Sequence, residues 1–372
     1  MFRALFALFA TLIIVGMNYY AYTRFLGRID IFAKVRPWLK WGMVVVVGLE
    51  ILFLMTLRFD ALGSQIFFFI ASLLGISFML FCVALVYDLV HVPLMRKSYD
   101  ASRRMVLKSI LDVTMLILAI SYMAKGFLGG LSSPKITEVT LRLKGLAEPL
   151  EVVQITDVHI GKVLGRPFLE EVVQVINTLN ADIVVITGDL VDLSVEKIGD
   201  VLDPLRDIRS KFGVYFVPGN HEYFHGIEGI LTHLKTLHVK VLGNTHVQVG
   251  GINLAGVYDV MAHRMNHPLV PDIAAALAGH NPNLPTVLLA HQPKYITHLK
   301  GNEPIDLVLC GHTHGGQIFP FGLLVLLDQP YLYGVYQHTA RTQVFVSSGV
   351  GYWGPPVRVN APSEIVKLTL RS

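Results

Sequence analysis

The chain has 372 residues, 53% of them hydrophobic and 16% charged, with a mean hydropathy of +0.54. Soluble globular domains run at about 45–50% apolar and about 25% charged, which counts against a wholly soluble enzyme. Residues 1–130 carry a net charge of +7 and residues 131–372 one of −3, so the overall +4 sums two unlike halves and gives no ground for a nucleic-acid partner. Of the 15 histidines, only His91 lies in the first half. Cys82 and Cys310 cannot build a disulfide framework; they read as small buried hydrophobes and say nothing of the redox compartment.

A hydrocarbon core about 30 Å thick takes roughly 20 apolar residues in a helix. Residues 4–23 hold no charge, 41–57 are apolar except for Glu50, and 61–87 are uncharged throughout. A fourth stretch, 105–124, is interrupted by Lys108 and Asp112, which stand four apart and face each other on a helix; Lys108 can also snorkel to the interface. Four spans are expected within residues 1–130. A cleaved signal peptide is the alternative for the first, but a lone Arg3 and a long apolar stretch fit a span better.

Orientation follows from the basic residues. Arg24, Arg28, Lys34, Arg36 and Lys40 lie between spans one and two, and Arg96, Lys97, Arg103 and Arg104 between three and four. Only Arg58 lies between two and three. The positive-inside bias puts the two basic loops in the cytoplasm. The expectation is a multi-pass protein of the plasma or inner membrane, partnered by the lipid bilayer, with residues 131–372 extracytoplasmic. Intramembrane carboxylates are functional by default, but Glu50 and Asp112 also read plainly as helix-end groups or as partners of a basic neighbour.

From about residue 131 the pattern changes to short β-branched runs alternating with amphipathic stretches. Residues 152–156, 183–187, 214–217, 286–290 and 307–310 predict strands, and 166–179 and 196–209 predict helices. This alternation implies crossovers and a largely parallel, buried sheet. Further strands predicted at 344–347 and 357–369 imply a second sheet packed on the first.

Ligands of open α/β sheets bind beyond the carboxyl ends of the strands, and here those ends carry metal-capable groups. They are Asp157-Val158-His159, Gly188-Asp189, Gly219-Asn220-His221-Glu222, His291, and Gly311-His312-Thr313-His314. Residues two apart in extended chain point the same way, so Asp157 and His159 converge, as do His312 and His314. Each piece alone is weak; five in series at strand ends are not. A donor set of Asp, His and Asn without thiolate suits Mn, Fe or Zn, manganese foremost, rather than a structural zinc site. The set is too large for one ion, and Asp189 is placed to bridge two. Two such ions, about 3.5–4 Å apart, clamp the attacking and leaving oxygens at phosphorus and lower the pKa of a bound water toward 7. The implied chemistry is phosphoester hydrolysis by metal-bound hydroxide.

These motifs, in this order, resemble the calcineurin-like metallophosphoesterases over about residues 150–365. The run Gly311-His312-Thr313-His314-Gly315-Gly316-Gln317, with Arg358-Val359-Asn360-Ala361-Pro362-Ser363-Glu364-Ile365, resembles the YkuE-type, membrane-associated subgroup. That subgroup includes membrane-associated phosphodiesterases and the UDP-2,3-diacylglucosamine pyrophosphatase of some lipid A pathways. The resemblance implies a four-layer α/β/β/α sandwich following the helical transmembrane region. It implies one ion on Asp157, His159, Asp189 and His314, and a second on Asp189, Asn220, His291 and His312. It makes His221 the catalytic group that contacts the phosphate and protonates the leaving oxygen or stabilises its charge. A histidine beside two cations loses basicity, which a partner such as Asp192 or Glu222 would restore.

The expected function is a membrane-anchored, dinuclear-metal hydrolase of a phosphodiester or pyrophosphate bond in an amphiphilic or lipid-linked substrate. A nucleotide phosphodiesterase or phosphomonoesterase is the alternative within the enzyme class. A metal-binding sensor or transporter without hydrolysis is the alternative outside it. Residues 318–327, directly after the second histidine pair, are apolar throughout, and Tyr331, Tyr333 and Tyr336 follow. They read either as a buried strand and hairpin or as a rim that meets lipid.

Overall fold

Lipid offers backbone groups no hydrogen bonds, so apolar stretches of this length satisfy them internally as helices. Among the described residues four long helices are present: α1 Phe2–Arg24, α2 Arg36–Thr56, α3 Ser64–Arg96 and α4 Ala101–Leu131. The structure, a computed structural model, describes residues 2–56 and 63–372; Arg58 and the predicted span ends at 57 and 61 lie outside the described residues. Among the described residues, three helices are long and apolar enough to cross a membrane by length and composition: Arg36–Met55, Ser64–Arg96 and Ala101–Leu131. The first expected span is helical but is not among these three.

The chain forms two units, Met1–Leu131 with Gly354–Val359, and Ser132–Trp353 with Asn360–Ser372. In the first, Ala21 of α1 and the following Phe25 and Ile29 pack on Val83, Ala84 and Tyr87 of α3 and on Met115 and Ala119 of α4. Buried Asp112 pairs with Lys108 Nζ at 2.7 Å, one helical turn away, and accepts the Tyr87 hydroxyl at 2.7 Å. Buried Glu50 accepts from Asn18 Nδ2 at 2.8 Å rather than from a basic neighbour.

Residues 357–363 are not the strand their alternating valines predict. Val357 packs on Gly126 of α4, where the Arg358 N–H donates to the Gly126 carbonyl at 2.9 Å. A Cβ on Gly130 would strike the Pro356 carbonyl, so only glycine lets the two backbones approach this closely. Alternation marks a segment that buries one face, and here α4 rather than sheet neighbours covers Val357 and Val359.

The second unit holds twelve strands: β1 Lys135–Arg142, β2 Leu150–Ile155, β3 Ile183–Thr187, β4 Val214–Val217, β5 Val239–Val241, β6 Thr245–Val249, β7 Ile252–Gly256, β8 Thr286–Leu289, β9 Leu307–Cys310, β10 Gly334–Gln337, β11 Gln343–Val346 and β12 Glu364–Arg371. They form two six-stranded sheets, ordered β1-β12-β2-β3-β4-β5 and β10-β11-β9-β8-β7-β6. Pairing is parallel except at β12–β2, β6–β7 and β10–β11. Ile183, Val185, Tyr215 and Val217 of one sheet meet Leu254, Val287, Leu289, Leu309 and Phe345 of the other in the central layer. The opposite face of the first sheet, including Val184, Ile186 and Phe216, packs on Leu169, Val172 and Ile176 of the helix Arg166–Thr178 and on Ile230 and Leu234 of the helix Ile227–Thr236. The opposite face of the second sheet covers itself with Ala276, Tyr295 and Ile296. This is the four-layer α/β/β/α sandwich.

The apolar run 318–327 is not a buried strand either. It carries the short helix Gly322–Val325, and Leu323, Leu324, Leu326 and Leu327 are exposed.

Candidate metal centre

The strands β2, β3, β4, β8 and β9 end at one edge of the sandwich, where Asp157 and His159, Asp189, Asn220 and His221, His291, and His312 and His314 follow them. Five of these residues leave extended geometry abruptly: φ is +52° at Asp157, +53° at His159, +51° at Asp189, +71° at His312 and +50° at His314. Asp and His tolerate left-handed backbone better than most residues. Its concentration here marks a site whose surroundings enforce it. A Cβ on Gly219 would collide with the Asp189 carboxylate, so the β4 turn needs glycine to pass so near.

Two groups of donors result. Single ligand atoms of Asp157, His159 and His314 lie within 4.8 Å of one another, as do those of Asp189, His291 and His312, and Asp189 also groups with His159 and His221. The Nε2 atoms of His159 and His314 face each other at 3.1 Å, and His314 Nε2 lies 3.4 Å from Asp157 Oδ1. His291 Nε2 lies 3.1 Å from Asp189 Oδ2 and 3.2 Å from Asn220 Oδ1.

The opposite ring nitrogens are engaged elsewhere. His291 Nδ1 donates to the Thr187 carbonyl at 2.8 Å, and His159 Nδ1 meets Asp192 Oδ1 at 2.8 Å. Such partners fix the tautomer that leaves Nε2 free to coordinate. Imidazole nitrogens and carboxylates aimed at common points, with no thiolate among them, are a donor set for divalent cations.

Charges in the site are heavily displaced. Burial pushes the Asp157 carboxyl up, and the Asp189 charge adds to it. Burial acts likewise on Asp189, but His291 and His221 outweigh it and hold that carboxyl well below the usual range. Burial, reinforced by His291, lowers His312 to about 3, leaving a neutral ring with a free lone pair.

Two carboxylates near His221 have different tasks. Asp192 is its neighbour: Oδ1 lies 2.6 Å from His221 Nδ1, although the ring N–H is not aligned on it as a hydrogen bond. Glu222 turns inward and accepts four backbone N–H groups, from Gly219 at 2.6 Å, Leu190 at 2.8 Å, Asp189 at 3.0 Å and Val191 at 3.3 Å. It clamps the loop after β3 to the turn after β4. The sequence offers these two as alternatives because Glu222 adjoins His221 in the chain while Asp192 follows the β3 motif, and only the meeting of the two loops shows which one faces the ring.

Glu222→Ala strands those four donors. At about 1–3 kcal/mol per buried unsatisfied group, the loss in stability is expected to reach about 3 kcal/mol or more, read from the denaturant midpoint. Glu222→Gln keeps one acceptor oxygen and is expected to recover part of it.

Other side chains brace the site. Thr156 Oγ1 donates to Asp157 Oδ2 at 2.7 Å, and the His312 N–H donates to the same oxygen at 2.9 Å. Glu364 accepts from Ser347 Oγ and from the Ser348 N–H, both at 2.9 Å.

Residues 150–316 match the calcineurin-like phosphoesterase family. The chain is 45% identical over 311 residues to a Helicobacter pylori metallophosphoesterase, covering 84% of each. It is 35% identical over 272 residues to a Danio rerio transmembrane protein with metallophosphoesterase domain, covering 70% of this chain and 62% of that one. To the metallophosphoesterase YkuE of Bacillus subtilis it is 30% identical over 240 residues, covering 60% of this chain and 79% of the relative. With its fold, its donor set and these relatives in agreement, the chain belongs to the calcineurin-like metallophosphoesterases.

Proposed function

We propose that the protein is a multi-pass, membrane-anchored phosphoester hydrolase with two divalent cations, manganese foremost, acting on a phosphodiester or pyrophosphate bond in an amphiphilic substrate. The observation that carries this reading is the position of Asp189, whose carboxylate groups with His291 and His312 and also with His159 and His221. In this assignment Asp157, His159, Asp189 and His314 hold one cation, and Asp189, Asn220, His291 and His312 the other. The pair, when bound, neutralises charge on the phosphoryl oxygens and lowers the pKa of a coordinated water. His221 holds a proton at the rim of the site and delivers it to the leaving oxygen, with Asp192 keeping the ring charged and in place.

The experiment is hydrolysis of a generic aryl phosphodiester by the full chain in lipid nanodiscs with Mn²⁺. The full chain is needed because Gly354–Val359 packs with the helices. Metal bound without turnover would favour a binding domain instead. Glu50 and Asp112, which would support a transporter, have local partners in Asn18 and Lys108. The clustering of basic residues between α1 and α2 and between α3 and α4 supports an extracytoplasmic catalytic unit, tested by a reporter fused at Leu131.

Support for an amphiphilic substrate comes from the exposed leucines after His314. Leu323 is 65% and Leu327 84% exposed, on an uncharged decapeptide rooted beside the site. Gln317 Nε2 donates to the Trp353 carbonyl and the Trp353 N–H to Gln317 Oε1, each at 3.0 Å, and Trp353 lies 6.2 Å from His221 between ring centroids. Leu323→Asp with Leu327→Asp is expected to cut turnover of a phospholipid or lipid-linked diester about tenfold or more, since burying each leucine is worth about 1.5–3 kcal/mol. Turnover of the soluble aryl diester is expected to stay within about twofold. Equal losses on both substrates would count against a lipid-facing rim, and mass spectrometry of products from phospholipids, nucleotide-linked lipids and nucleotides identifies the substrate class.

A further inference from the structure

A second set of donors converges on the other edge of His221. Its Nε2 faces Asp189 Oδ2 at 3.9 Å, while Nδ1 faces Asp192. His221 and His225 stand four apart in the short helix Asn220–His225, so their rings share one face, with centroids 6.2 Å apart. One ligand atom from each of Asp192, His221 and His225 lies within 4.8 Å of the others. All three residues are half-buried. His221 Nδ1 is itself a buried atom that faces Asp192 Oδ1 at 2.6 Å without an aligned hydrogen bond, and a cation taken up by both side chains would satisfy it. Two imidazoles and one carboxylate, with a fourth position left for water, make an open zinc site.

We propose that Asp192, His221 and His225 bind a third divalent cation of the zinc class, and that its binding inhibits the enzyme. The inhibitory role rests on the hydrolase reading above. The site differs from the two that share Asp189: its donors are Asp192, His221 and His225, none of which is assigned to either of them. A ring nitrogen that coordinates a cation carries no proton. His221 held at Nδ1 is therefore a neutral ring with a single proton at Nε2, and it has lost the acidic form that protonates a leaving oxygen. Two imidazoles also select zinc over manganese, which binds nitrogen donors more weakly. Zinc thus inhibits under conditions in which manganese sustains turnover.

The test uses Zn²⁺ itself with the full chain in nanodiscs. Wild type, His225→Ala and His225→Gln are saturated with Zn²⁺, freed of excess and analysed for zinc per chain. Wild type is expected to hold one zinc more than either variant. Turnover with Mn²⁺ is expected to be the same in all three. Losing even an outer-shell partner costs about 10–100-fold in metal affinity, so the half-inhibitory zinc concentration is expected to rise about tenfold or more in both variants. Equal zinc contents in all three proteins would overturn the site, and equal zinc sensitivity would overturn its inhibitory role. The zinc common to all three reports separately on the paired site, so the two readings fail independently.

Discussion

Asp189→Ala is expected to empty both halves of the metal centre. The wild-type chain should hold two cations in its paired site and the variant close to none, measured by elemental analysis of protein purified with Mn²⁺. Hydrolysis of an aryl phosphodiester is expected to fall about 10³-fold or more, at least the scale of a single preorganised charge-stabilising group. The reason is the position of one side chain. Asp189 Oδ2 meets His291, and Oδ1 accepts the His221 backbone N–H at 2.9 Å, so the carboxylate is fixed between groups from the loops after β4 and β8. Its low proton affinity, imposed by His291 and His221 against the effect of burial, keeps it an anion across the physiological range. Asp189→Asn preserves shape and one oxygen donor without the charge and is expected to fall between the two. Retention of two cations by Asp189→Ala would refute the shared-ligand assignment.

His221→Ala is expected to separate binding from chemistry. A positioned proton donor contributes about 10²–10⁴-fold; turnover should drop by that factor while both cations of the paired site stay bound. Burial alone would lower the His221 imidazole, but the carboxylates of Asp189 and Asp192 outweigh it and push it up to about 9. Removing the Asp192 charge takes away part of that support, and the ring then loses its proton at lower pH. The direction follows: an acid that must be protonated fails as pH rises through its pKa, so Asp192→Asn should move the alkaline limb of the kcat/KM profile toward lower pH. A limb that stays put, or moves upward, would exclude Asp192 as the group that sustains His221.

The strands read from sequence and those in the structure coincide best where burial is complete. Ile183–Thr187, Val214–Val217 and Leu307–Cys310 are β-branched or apolar and buried along their whole length, so composition alone locates them. β1 escapes notice because it is largely exposed and carries Lys135, Glu138 and Arg142; its strand character comes from β12, far away in sequence. Residues 318–327 and 357–363 mislead for one shared reason. Apolar composition says that a segment avoids water but not what covers it. The donor residues are visible because each follows a predicted strand. Their left-handed backbone and the division of labour between Asp192 and Glu222 are not, since both depend on how loops from different strands meet.

The placement of β12 bears on how the molecule comes to exist. It lies between β1 and β2, parallel to one and antiparallel to the other, although more than half of the chain separates it from either. During synthesis the first sheet therefore stays split, with two unsatisfied edges, long after the N-terminal helices have left the ribosome. Exposed edges of that kind invite pairing with other chains, and contacts so distant in sequence form slowly. A nascent polypeptide of this design depends on being held apart from its siblings until β12 has been made, and losing β12 would leave a gap inside the sheet rather than a shortened rim.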